Sequence, residues 1–226
     1  MKRSVCSRWL AVTLYALAMA WVEAAVVCYL RTIIGEFDPA RPAPTPLPGN
    51  LIGAEMIREV ATLIMLGTVA WLAGEGRRSR VGAFLLAFGV WDIGYYVFLV
   101  PLTGWPHGLA DWDILFLLPL PWWGPVWAPV SIALLMILAG SGWLVRGEEG
   151  TQPLSWKAIG AGTIGALGAM AIFMLDALRQ LGEERPLRLD QPPADFPELL
   201  FGVTWMLMAI PALAVWRRPA PHRTGR

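Results

Sequence analysis

Six charged side chains fall inside apolar stretches of this chain: Glu23, Glu55, Arg58, Glu59, Asp92 and Asp176. A charge inside a membrane-length segment is costly, so each one calls for a reason. Glu55 and Glu59 are four residues apart and share one face of a helix. Arg58 lies three residues from Glu55 and can pair with it. That leaves one formal negative charge on the face, to be met by a proton, a cation or a second arginine such as Arg31. The stretch Trp91-Asp92-Ile93-Gly94-Tyr95-Tyr96 sets two phenols three and four residues after the deepest carboxylate. Such a group suits either a hydrogen-bonded cluster that keeps the Asp92 proton or a plain contact between helices. Asp111 and Asp113 bracket Trp112 just before the apolar segment, and solvated loop carboxylates are the plain reading of them.

Carboxylates without a histidine cluster suit protons, Na⁺ or a hard divalent cation such as Ca²⁺, Mg²⁺ or Mn²⁺. They also suit general acid/base work. The two histidines, His107 and His222, lie far apart in the sequence and make no zinc motif. A bis-histidine haem site is therefore excluded. The candidate catalytic residues are Glu55, Glu59 and Asp92. The candidate substrate-binding residues are Glu23, Arg58, Tyr95, Tyr96 and Asp113. The identity of any metal stays open.

The elements that must position these residues are membrane spans. Of 226 residues 56% are apolar and 15% charged, with 13 Trp and a net charge of +1. This excludes a disordered chain and a nucleic-acid binder. Six stretches approach the roughly 20 residues that cross a bilayer: about 9–30, 51–73, 81–101, 125–145, 157–178 and 198–216. The expected fold is thus an all-α, single-domain (1–226) bundle of six transmembrane helices. The strict alternation of β-barrel strands is absent. Between the third and fourth spans, Ile114 to Trp123 is apolar but too short to span, and Pro119, Pro121 and Pro125 break any long helix. A short re-entrant or interfacial segment is expected there. Pro211 and Pro129 are expected to kink the sixth and fourth spans.

Twelve Lys and Arg residues fall on the side of the N-terminus, 74–80, 146–157 and the C-terminal tail, against five on the other. That asymmetry places both termini in the cytoplasm. Tryptophans at both boundaries fit the aromatic belts of such a bundle. An uncleaved first span is expected, because the apolar run continues past Ala18-Met19-Ala20 to Leu30. Cys6 and Cys28 would stand roughly 30 Å apart on one helix, too far for a disulfide. All six charges fall in the outer half or at the midplane, roofed by 31–50 and 102–124.

The blocks WDIGYY (91–96) and WDILFLLPLPWWGPVWAP (112–129), with Glu55-Met56-Ile57-Arg58-Glu59, resemble an uncharacterised group of bacterial polytopic inner-membrane proteins. The resemblance covers roughly residues 9–145. It implies a bacterial inner-membrane location and no activity.

Three function classes fit this pattern: an intramembrane enzyme acting on a lipid-soluble substrate, an accessory or assembly subunit of a membrane complex, and a small ion-coupled transporter. The absence of an internal repeat and of charges in the inner half weighs against the third. The bilayer is the first partner. The fifth span repeats small residues at Ala158, Gly162, Ala166 and at Ala161, Gly165, Ala169, which suits packing inside the bundle or a homodimer face.

Overall fold

The computed structural model describes residues 4–33, 49–146, 154–183, 187, 189 and 191–216. The helices are α1 (Val5–Ile33), α2 (Gly49–Ala73), α3 (Arg77–Thr103), α4 (Trp127–Arg146), α5 (Trp156–Phe173), α6 (Leu175–Gly182) and α7 (Glu198–Ala214). Five of them, α1 to α5, are long and apolar enough to cross a membrane. The sixth expected span is the helix α7, but its 17 residues reach only about 26 Å, short of a roughly 30 Å hydrocarbon core. The fifth is also shorter than its apolar run. The α-helix stops at Phe173, and a separate eight-residue helix, α6, follows Met174. The expected roof over 34–48 lies outside the described residues, as do the arginines of the C-terminal tail.

The segment between α3 and α4 is not helical. It forms an antiparallel hairpin of β1 (Trp112–Phe116) and β2 (Trp122–Pro125). The fold is therefore mainly rather than wholly α. Alternating aromatic and branched residues favour extended backbone, and Pro119 and Pro121 fall in the connection, where no ladder N–H is needed. Trp112 pairs with Pro125, Asp113 with Gly124 and Ile114 with Trp123, before a bulge shifts the register to Phe116 and Trp122. Pro129 falls in the first turn of α4, where proline costs no helical hydrogen bond, so it need not kink the helix.

α3 is the central helix, in contact with α1, α2 and α4, while α5 pairs with α7 and α7 touches α4. The α3–α4 contact is close because it is glycine-lined: a Cβ on Gly140 would stand 2.5 Å from the Leu86 nitrogen and 2.6 Å from the Gly82 oxygen. The small residues of α5 serve the same purpose toward α7. A Cβ on Gly165 would meet the Thr204 oxygen at 2.6 Å, and one on Gly162 would meet Pro211.

β1 lies along α3 and runs against it. Asp113 meets Tyr96, and Phe116 stacks near Phe88 and Trp91. Eight helical residues separate Phe88 from Tyr96, about 12 Å. Three strand residues separate Asp113 from Phe116, about 10 Å. The two spacings match only if the strand follows the helix from Thr103 back toward its middle. Asp92 sits midway between Phe88 and Tyr96, on the face that meets this strand.

Candidate functional site

Three helices and the hairpin contribute to the polar cluster. α1 supplies Glu23, α2 supplies Glu55, Arg58, Glu59 and Thr62, and α3 supplies Asp92, Tyr95 and Tyr96. Arg58 is the hub of the first group. Its Nε donates to Glu55 Oε2 at 2.8 Å, its Nη2 is ion-paired with the same oxygen at 2.7 Å, and its Nη1 is ion-paired with Glu23 Oε1. Glu23 also accepts a long hydrogen bond from Thr62 Oγ1, at 3.4 Å. Both carboxylates are buried, so one guanidinium, with its planar fork of donors, ties α1 to α2. The pairing of Arg58 with Glu55 is the one the three-residue spacing anticipates. The bridge to Glu23 is not legible from spacing, because it depends on how α1 packs.

Glu59 has a different partner. Both its oxygens accept the backbone N–H of Leu117, at 2.8 and 3.1 Å. Leu117 lies just past β1, in the turn of the hairpin. Glu59 thus satisfies a donor that the bulged hairpin leaves without a ladder acceptor. Sequence reasoning gave Glu59 a catalytic role and missed this one. An N–H is invisible to any search for chemical side chains.

The Asp92 group is rearranged relative to expectation. Tyr96 donates its hydroxyl not to Asp92 but to Asp113 on β1, at 3.0 Å. The phenol extends past the neighbouring turn and reaches across to the strand. Tyr95 packs edge-on against Tyr96, with ring centroids 5.1 Å apart. The Asp92 carboxyl makes no hydrogen bond or ion pair with any described residue. The Asp92 and Asp113 charges interact unfavourably, and Tyr95 lies within electrostatic range of Asp92, Asp113, Arg31 and Arg58.

Asp113 is only 5% exposed. Burial pushes its pKa up to about 6, against the opposing pull of the Tyr96 hydroxyl, the Arg31 charge and the Ile114 N–H. Arg31 is not the second arginine for the α2 face. It lies over the Trp105 ring, 5.0 Å from its centroid, and contributes its charge to Asp113 instead. Asp111, just before β1, has a different partner from Asp113: its Oδ2 accepts the His107 N–H at 2.7 Å and lies 3.3 Å from His107 Nδ1.

The charges therefore do not form one pool. Glu23, Arg58 and Glu55 close on one another, Glu59 holds the hairpin, and Asp92 lies beside Asp113 and Tyr96. Asp176 is apart from all of them, on α6, where it accepts from Gln180 Nε2 at 2.6 Å. Glu198 opens α7 and is exposed. Among the described residues no three acidic, histidine or cysteine side chains gather as a metal-holding group. Comparison with protein families, with curated proteins and with solved structures returns no match for this chain.

Proposed function

We propose that this chain is a bacterial inner-membrane protein whose outer half carries a proton-exchanging carboxyl site, used in acid/base chemistry on a lipid-soluble substrate. One observation carries the reading. Asp92, near the middle of the central helix, is the intramembrane carboxylate left without a hydrogen bond or ion pair among the described residues. An unpaired carboxyl at that depth is costly unless it exchanges a proton or meets a ligand. In this reading Asp92 is the acid/base group, Asp113 and Tyr96 set its charge environment, and Tyr95 borders the substrate. Glu55 and Glu59 are spent on Arg58 and on the hairpin, so the catalytic role falls to Asp92 rather than to them.

The excess of arginine and lysine at the other end of the bundle supports an outward-facing hairpin end and cytoplasmic termini. The hairpin is re-entrant in this reading: it descends along α3 and returns without crossing. Non-helical backbone at that depth is tolerated where protein buries it, and the Glu59 contact to the Leu117 N–H supports such a path. The WDIGYY and WDILFLLPLPWWGPVWAP resemblance supports the inner-membrane location.

A second reading has its own observation. The closed Glu23–Arg58–Glu55 group is what an accessory or assembly subunit would show, its charges serving cohesion alone. The two readings separate in one experiment. Lipid extracts are compared from cells expressing the wild type, Asp92→Asn, or no protein. The acid/base reading expects a lipid species consumed by the wild type and left intact by Asp92→Asn. Identical extracts in all three, with the variant folded and in the membrane, would transfer the assignment to the accessory class.

A further inference from the structure

Away from the polar cluster, a cleft opens at the hairpin end of the bundle between β1–β2, the end of α5, α6 and the approach to α7. Its walls are aromatic. Trp112 and Phe196 meet at 80° with centroids 6.0 Å apart, forming a corner, and Trp123, 2% exposed, lies at the base. Its charged groups are Asp176, Arg179 and Asp195. Asp176 Oδ2 is engaged by Gln180 Nε2, which leaves its second oxygen available. Arg179 and Asp195 are exposed, and their side chains make no hydrogen bond or ion pair with any described residue. None of these residues belongs to the acid/base site.

We propose that this cleft binds the headgroup of an ethanolamine phospholipid, with the ammonium in the aromatic corner beside Asp176 and Asp195 and the phosphate on Arg179. Two carboxylates beside electron-rich ring faces attract a cation, and a guanidinium matches a phosphate with paired donors. One ligand that carries both charges a few bonds apart satisfies both. Size selects the amine. The enclosed part of the cleft has room for about one water-sized group. A primary ammonium fits that space, and a trimethylammonium exceeds it.

The surroundings favour a lipid over a soluble amine. The cleft begins at Ile172 and Phe173, the last turn of a membrane-length helix. Leu178 of α6, next in the chain to Arg179, is 45% exposed and offers apolar surface for the start of an acyl chain. The inference is independent of the acid/base reading and stands or falls without it.

The test uses the purified, delipidated full chain in detergent, titrated calorimetrically with dihexanoyl phosphatidylethanolamine. Dihexanoyl phosphatidylcholine and free O-phosphoethanolamine are run alongside. Saturable binding of the ethanolamine lipid, at least tenfold tighter than the choline lipid, is expected. Arg179→Gln and Asp195→Asn should each weaken it by about tenfold, a change near 1.4 kcal/mol. Both side chains are exposed, so thermal melts of the variants should match the wild type. O-phosphoethanolamine that binds as tightly as the lipid assigns the site to the headgroup alone, whereas much weaker binding assigns it to the membrane lipid. Equal binding of ethanolamine and choline lipids, or variants that melt normally and bind as the wild type does, would overturn the proposal.

Discussion

Arg58 decides the energetics of the α1–α2 contact at the scale of single residues. It is shared by two buried carboxylates, with its own side chain 25% exposed and those of Glu23 and Glu55 at 12% and 11%. Removing one partner of a buried pair leaves an uncompensated charge, a loss of about 3–5 kcal/mol. Arg58→Gln is expected to lower thermal stability in detergent by an amount of that order, and Glu23→Gln/Glu55→Gln/Arg58→Gln is expected to recover most of it, since nothing charged is then stranded. A triple variant as unstable as the single one would mean that packing, not charge, is what Arg58 supplies.

Asp113 makes a second residue-scale prediction, with a definite sign. Its folded pKa, about 6, lies above the ordinary value of 3.8. The folded protein therefore holds the Asp113 proton more tightly than the unfolded chain does. That contribution to stability is full below about pH 4 and is lost as pH rises through about 6. Melting temperature should carry a falling limb in that window which Asp113→Asn removes. Tyr96→Phe should move the limb upward in pH, because the phenol donates to the charged carboxylate and its loss disfavours that form further. Melting curves of the three proteins between pH 4 and 8 check both statements. The residue types at this site were legible in the sequence, since charged and phenolic groups in apolar stretches announce themselves. Their partners were not. The Arg58 bridge to Glu23, the Tyr96 bond to Asp113 and the Leu117 N–H each depend on tertiary packing that spacing within one element cannot give.

At the scale of elements, glycine sets how closely α3 and α4 approach. Gly140→Ala places a methyl 2.5 Å from the Leu86 nitrogen and 2.6 Å from the Gly82 oxygen, a clash with the backbone of α3 that only helix separation relieves. Gly160 has open space around its Cβ position, so Gly160→Ala gains helix propensity at no packing cost, roughly 0.5–1 kcal/mol. A drop in melting temperature for the first and none for the second is the expected pair of outcomes. The helices themselves were largely readable, because twenty apolar residues in a row have few alternatives. The segment 102–124 was readable only as something other than a span: its prolines and short apolar run exclude a helix, but the hairpin register depends on α3 and Glu59. The end of α5 was misread because the apolar run continues past Phe173. Composition alone does not mark the interruption at Met174 that separates α5 from α6.

The whole molecule has two unlike ends. Arg8, Arg77, Arg78, Arg80 and Arg146 gather at one. The guanidinium of Arg80 covers the Trp71 ring at 3.6 Å, and Arg8 lies 3.5 Å from Glu75. The hairpin, the Trp105 loop and the aromatic cleft occupy the other. If the basic end is cytoplasmic, the hairpin enters from the outside and stops partway through the bilayer. Single cysteines placed in a background lacking Cys6 and Cys28 test this directly. An impermeant maleimide added to intact spheroplasts should label His107→Cys and leave Arg77→Cys unlabelled until the membrane is opened. Leu118→Cys, at the hairpin turn, is the informative position. A re-entrant turn held against Glu59 should resist the impermeant reagent from both sides in the wild-type background. In a Glu59→Gln background, where the acceptor is weakened, Leu118→Cys should gain labelling from the hairpin side alone. Labelling of Leu118→Cys from the basic side would mean that the turn reaches the basic face, which would overturn a hairpin that stops partway; α4 would keep its orientation, because antiparallel β1 and β2 leave and return at the same end.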